Sequence, residues 1–206
     1  MAVPTSPAPS PAAAPRRRLT ADQRRRQLVG FGLELLTERP ITEVSLDEVA
    51  ALAGSSRGLL FHYFPTKRDY HAAVVAAACD RLRREVTPDP ALARDDRLPA
   101  VVAAFCGFIR RRREPYLALV RGHAGADPTI GAVLDELRDD LVELVRDAAD
   151  LPRDRAHRDA LRAWMAFAEE LALSWTAPPA RPQRRLVATL VASLPAVVPA
   201  AAERPR

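Results

Sequence analysis

The sequence predicts an all-α protein, and three observations carry that prediction. Ala, Leu and Arg dominate its 206 residues, aromatics make up 5%, and β-branched residues are few. That mixture favours helices over strands. Apolar residues recur three and four apart in one segment after another. Prolines and capping signals punctuate those segments, and no stretch reads as a strand meander or a strand–helix–strand unit. With 48% hydrophobic residues and eight glycines the chain can bury a core, which excludes global disorder.

The elements follow in order. Residues 1–15 hold five prolines and no charge, and read as a flexible tail without the apolar segment of a signal peptide. Thr20-Ala21-Asp22-Gln23 fits a capping box that opens the first helix. It turns apolar through Leu28, Phe31 and Leu35 and stops at Glu38-Arg39-Pro40. Ser45-Leu46-Asp47-Glu48 is a second capping box, opening a short helix with Leu46, Val49 and Ala50 on one face, which Gly54 ends. A third helix runs from Ser56 to Tyr63, with Leu60 and Phe64 expected in the core. Pro65 closes it, and Thr66-Lys67-Arg68-Asp69 caps a fourth helix through Tyr70, Val74, Ala78 and Leu82. Beyond Pro88 and Pro90, amphipathic helices are expected at 95–112, 114–122, 128–149, 154–176 and 182–198. Residues 201–206 read as a second tail.

Composition excludes several classes. The chain has 31 Lys+Arg against 26 Asp+Glu, a formal charge of +5, and Lys67 is its sole lysine. Two cysteines, Cys79 and Cys106, leave no disulfide framework and no cysteine-rich metal site. Both lie in Ala-rich stretches, where a free thiol packs as a small hydrophobe. No H-E-x-x-H, phosphate-cradling glycine loop or dinucleotide fingerprint is present, so neither metal nor cofactor is expected. The longest uncharged run, Leu186 to Ala202, contains Pro195 and Pro199 and is too short for a membrane span. A soluble, cytoplasmic protein without membrane contact is expected.

Residues 45–67, SLDEVAALAGSSRGLLFHYFPTK, carry the chemistry. Two short helices pivot about Ala53-Gly54, which makes a helix-turn-helix whose second helix can enter a major groove about 12 Å wide. Ser45 and Thr66/Lys67 open the flanking helices, and each helix N-terminus presents free N–H groups and a positive dipole end to a phosphate. Phe61, Tyr63, Phe64 and Tyr70 crowd into ten residues. Arg16, Arg17 and Arg18, followed by Arg24, Arg25 and Arg26, form a basic arm beside this motif that can track the backbone or reach the minor groove. Alone, such a run is a solvated face and His62 a structural histidine.

Here the sequence resembles the TetR family of bacterial transcriptional repressors, most strongly over residues 20–85. The resemblance rests on Ala50-Ala51-Leu52-Ala53-Gly54 and on Ser56-Arg57-Gly58-Leu59-Leu60-Phe61-His62-Tyr63-Phe64-Pro65-Thr66-Lys67. The family's usual pattern over that second stretch is Ser-Lys-Gly-Thr-Leu-Tyr-His-Tyr-Phe-Pro-Ser-Lys. It implies a homeodomain-like helix-turn-helix domain over 16–66, a connecting helix over 67–86, and a helical effector-binding and dimerisation domain over 91–200. Ser56 belongs to the recognition motif. Arg57, Gly58 and Leu59 match positions facing base edges; Ser45, Phe61, His62, Tyr63 and Lys67 match positions that meet phosphates. Leu59 stands where a hydroxyl residue is common, and Phe61 replaces the usual tyrosine.

The expected partners are double-stranded DNA with a palindromic operator, a second copy of the chain, and a small effector. The apolar stripe Leu161, Ala168, Leu171, Trp175 with Leu186, Leu190 and Leu194 is the expected dimer interface. Phe105, Phe108, Tyr116, Trp164 and Phe167 are candidates to line an apolar pocket, with Arg121, His123 or Glu169 orienting a polar group; each is equally a packing or surface residue. Arg110–Arg113 complements a helix end. Two other classes compete. One is a helical module that binds proteins without reading DNA. The other is a serine hydrolase using Ser56, because Gly54-Ser55-Ser56-Arg57-Gly58 is literally G-x-S-x-G; that elbow needs a strand before it, and none is expected.

Overall fold

The computed structural model describes residues 19–122, 127–179 and 181–198. The expected tails, Arg16, Arg17, Arg18 and His123 lie outside the described residues. Among those described, nine α-helices and a single 3₁₀ turn form, without a strand. Helix α1 (Ala21–Leu36) opens on the full capping box: Gln23 N donates to Thr20 Oγ1 (3.2 Å) and Thr20 N to Gln23 Oε1 (2.9 Å). The 3₁₀ turn Ile41–Glu43 leads to α2 (Leu46–Leu52) and α3 (Arg57–Tyr63). At α2 only half of the expected box forms. Ser45 Oγ accepts from Asp47 N (3.2 Å), while the Glu48 carboxylate is drawn to Arg39 instead of its cap.

Helix α4 (Lys67–Val86) is the spine. Thr66 and Asp69 cap it reciprocally, and Tyr70, Val74, Val75, Cys79, Leu82 and Val86 are buried. Its faces pack on α1, on α5 (Arg94–Arg111) and on α7 (Pro128–Ala148). Helices α6 (Arg113–Arg121), α8 (Arg155–Thr176) and α9 (Gln183–Val197) complete the bundle, with α9 lying on α5 and α8. No described helix is long and apolar enough to cross a membrane.

The packing of α8 and α9 corrects one expectation. Leu161, Ala168, Leu186, Leu190 and Leu194 are buried within the protomer, so they are not available to a partner. The strongest apolar stripe of each helix closes its own core. One line of α8 at helical spacing stays partly or fully exposed and free of charge: Ala163, Phe167 and Ser174 exposed, Ala160 and Leu171 half-buried, with Trp175 half-buried beside it. On α9 the corresponding line has Ala188, Ala192 and Pro195 exposed and Val187 and Val191 half-buried.

The seam between α1 and α4 has no slack. Tyr70 is fully buried and its hydroxyl donates to the Leu28 carbonyl (2.9 Å). A Cβ on Gly32 would overlap both that hydroxyl and Val74 Cγ2. Gly32→Ala is therefore expected to lower stability by about 1–3 kcal/mol, the usual cost of overpacking. A thermal melt indistinguishable from wild type would contradict this account of the seam.

Candidate nucleic-acid interface and buried cavity

The turn between α2 and α3 is built from its backbone. Gly54 sits at φ +56°, in the left-handed region glycine adopts without steric cost. Gly54 N donates to Ala51 O (3.1 Å) and Ser55 N to Ala50 O (2.9 Å), the paired bonds that close a helix on a left-handed glycine. Ser56 then caps α3, its Oγ accepting from Leu59 N (3.3 Å). With its hydroxyl so used, and a helix where a hydrolase has a strand, Ser56 is not a nucleophile elbow.

Leu60 and Phe64 turn into the core, and the Phe64 ring meets Tyr70 edge-on, 5.1 Å between centroids. Arg25 stands 4.9 Å from the Phe64 centroid. On the opposite side of α3, Arg57, Gly58, Phe61 and His62 are exposed, with Leu59 and Tyr63 half-buried at the margin. A Cβ on Gly58 would meet only Ser56 Oγ, at 3.8 Å; its absence leaves the helix backbone bare to an approaching surface. Lys67 Nζ donates to the Thr42 carbonyl (3.3 Å), tying the start of α4 to the turn before α2. Half-buried Ser45 caps α2.

Sequence reasoning missed Asp47 as the partner of Arg57. Arg57 Nη1 lies 3.1 and 3.0 Å from its two carboxylate oxygens, and the guanidinium stands 5.4 Å from the Phe61 centroid. Both side chains are about 60% exposed, and exposed pairs contribute only about 0–1 kcal/mol. Arg57 is held in place yet easily exchanged to another acceptor. Ten residues and a helix reversal separate the two, so no periodicity in the sequence signals the pair.

A cavity of about 440 Å³ opens among α1, α4, α5, α6, α7 and α8. Of the expected lining residues, Phe105, Phe108, Tyr116 and Glu169 face it. Trp164 and Phe167 do not. Trp164 is 1% exposed, donating from Nε1 to Ser193 Oγ of α9 (2.9 Å), and Phe167 lies on the outer face at 43% exposure. The α8 stripe that reaches the cavity is Arg162, Met165, Ala166 and Glu169. Arg121 pairs with Glu170 away from the wall. Leu33, Leu36 and Leu82, from α1 and α4, and Leu134, Leu137 and Leu141 of α7 complete the apolar lining; in the sequence these are ordinary core stripes.

The Tyr116 hydroxyl donates to the Glu169 carboxylate. Burial, reinforced by that carboxylate, holds the phenol well above its ordinary pKa, so Tyr116 is a neutral donor. The cations on the wall are engaged: Arg81 and Arg112 with Glu85, Arg138 with Asp135, and Arg162 with Asp139.

Comparison with known proteins gives the same picture from a separate direction. Residues 31–74 match the family described as bacterial regulatory proteins, tetR family, and residues 94–197 match the tetracyclin repressor-like C-terminal domain. The transcriptional regulator EthR of Mycobacterium tuberculosis is 37% identical over 82 residues, 38% of this chain and 36% of that protein. SrpR of Pseudomonas putida is 28% identical over 74 residues, 36% of this chain and 35% of that protein. These matches span about a third of each curated relative. The crystal structure of a tetR-family regulator from Streptomyces coelicolor superposes with a TM-score of 0.75 at 30% identity, covering 87% of this chain and 82% of that one.

The two thiols give a direct check on the interior. Burial pushes Cys79 to about 11 and Cys106 to about 12, leaving about one Cys79 in a thousand as thiolate at pH 8. Cys106, fully buried and off the cavity wall, is not expected to react with a disulfide reagent at that pH until the chain is unfolded. Rapid titration of Cys106 in a native Cys79→Ala variant would show the packing around α5 to be open.

Proposed function

The chain belongs to the TetR family of bacterial regulatory proteins, and from that premise we propose that it represses transcription as a homodimer on a palindromic operator until a small, largely apolar effector releases it. Regulators of this family are not enzymes; they bind DNA, act as dimers and often respond to ligands. The observation that carries the reading is a shared helix: α4 lines the cavity at Ala78, Cys79 and Leu82, and at its other end Tyr70 packs against Phe64, the residue that ends the recognition helix.

In this reading the exposed face of α3 enters the major groove. Arg57 exchanges Asp47 for a base edge, a guanine by its bidentate geometry. Gly58 lets the helix backbone approach, and Leu59 meets a thymine methyl. Ser45, Ser56, Phe61, His62, Tyr63 and Lys67 border the phosphates, and Arg16, Arg17 and Arg18 precede α1 as a basic arm. An effector entering between Leu36 and Leu82 tilts α4, whose first turn follows α3 directly, and changes the spacing of the two recognition helices. Release requires that the effector bind the DNA-incompetent state more tightly. The outward lines on α8 and α9 form the dimer contact.

Footprinting on DNA upstream of its own gene, with competitor, is expected to protect an inverted repeat with half-sites about 34–36 Å apart or a multiple of that. Arg57→Ala should cost about 1–3 kcal/mol at one base position, whereas Lys67→Ala should weaken all sequences alike and flatten the salt slope by about one unit. Loss of affinity for Arg57→Ala that is equal on every sequence makes it a phosphate contact. Absence of any DNA binding by the folded protein sinks the reading in favour of a protein-interaction module.

Dimerisation is tested apart from DNA. Phe167 is exposed in the protomer, so Phe167→Glu should leave the fold intact and give monomers in sedimentation, with operator affinity lost. A variant that remains dimeric places the interface elsewhere.

A further inference from the structure

Of the three carboxylates on the cavity wall, one has no arginine partner among the described residues. Asp135 and Asp139 each face an arginine, and Glu85, behind the wall, is shared by Arg81, Arg111 and Arg112. Glu169 is the wall's remaining charged group, and no cation lies within ion-pair distance of it among the described residues. Its polar partner is the neutral Tyr116 hydroxyl. A carboxylate facing an apolar cavity loses hydration that one phenol does not replace.

Aromatic rings line the same cavity. Phe105, Phe108 and Tyr116 line the cavity, and the face of Phe108 already holds a cation, Arg112, at 4.4 Å. Ring faces and a carboxylate without a counter-charge attract the same class of ligand. Each guanidinium on the wall has a carboxylate partner, Arg81 and Arg112 sharing Glu85 with Arg111.

Resting on the reading of this cavity as the effector site, we propose that Glu169 makes it selective for lipophilic monocations, amphiphiles whose amine or quaternary ammonium meets Glu169 while an alkyl or aryl body fills the leucine-lined remainder. Tyr116 positions the carboxylate and is not itself the counter-charge.

The test is calorimetric titration of the full chain, without DNA, using decyltrimethylammonium, decanol and decanoate below their micelle concentrations. Wild type is expected to bind the cation at least about tenfold more tightly than the alcohol, with decanoate weakest. Glu169→Gln should remove at least about tenfold from the cation and less than about twofold from decanol, since only a charge contact is lost. Glu169→Asp, which keeps the charge, should keep the order of preference. Leu137→Trp, which fills the cavity, should abolish binding of whatever probe the wild type takes. Decanoate binding as tightly as the ammonium, or an unchanged cation preference in Glu169→Gln, overturns the proposal. If decanol binds and is lost in Leu137→Trp but charge has no effect, the effector cavity stands and the role of Glu169 falls. If no probe binds, or Leu137→Trp changes nothing, both fall.

Discussion

The rest of the structure depends on the seam between α1 and α4. Tyr70 bridges it with a buried hydroxyl on the Leu28 carbonyl, and the missing side chain at Gly32 lets the two helices approach closely enough for that bond. The seam holds Phe64 against Tyr70 and so sets the orientation of α3. The other end of α4 contributes Ala78, Cys79 and Leu82 to the cavity. One helix thus adjoins the end of the recognition motif and forms part of the cavity wall. Cores are close-packed and transmit displacement instead of absorbing it, so a shift imposed at Leu82 is felt at Lys67.

A second tie crosses the same gap. Arg68, in the first turn of α4, lies 2.9 Å from Asp127 Oδ1. Asp127 also caps α7, accepting from Thr129 N and Ile130 N. These bonds hold its carboxyl below its usual range against the opposing effect of desolvation. Helix α7 supplies Leu134, Leu137 and Leu141 to the cavity. Side chains and helix ends therefore connect cavity and recognition helix without a break. Contiguity alone does not make a switch; the effector's preference between states does.

Electrostatics separates the two surfaces. On the α3 face the Arg57 pair is solvent-exposed and cheap to exchange, which suits a surface that trades one acceptor for another. On the cavity wall Arg81, Arg138 and Arg162 are paired at the half-exposed rim and Arg112 is mostly buried, while Glu169 has a neutral phenol for its partner. On α8 and α9 the division is between stripes: the heavier apolar stripe is consumed inside the protomer, and a lighter one of Ala, Val, Phe and Leu remains outside.

Local chemistry was legible in the sequence because its causes are local. Thr20 with Gln23 and Thr66 with Asp69 cap their helices as their spacing predicts. Gly54 marks the reversal, and Leu60 and Phe64 fall four apart into the core. What a stripe packs against is not local. Leu161, Leu186 and Leu190 have the spacing of any buried face, and only the bundle shows that they face their own subunit. Trp164 and Glu169 lie five residues apart on one helix, yet the first turns to α9 and the second to the cavity, because α8 is shared between them. The pairing of Arg57 with Asp47 arises from a helix reversal that brings together residues the periodicity keeps apart. The sequence by itself determined the helices, their ends and the recognition motif, each set by interactions within a few residues. Tertiary structure alone decided which faces close the core, which meet a partner and which charge is left without its opposite, because those depend on what other elements bring to the same space.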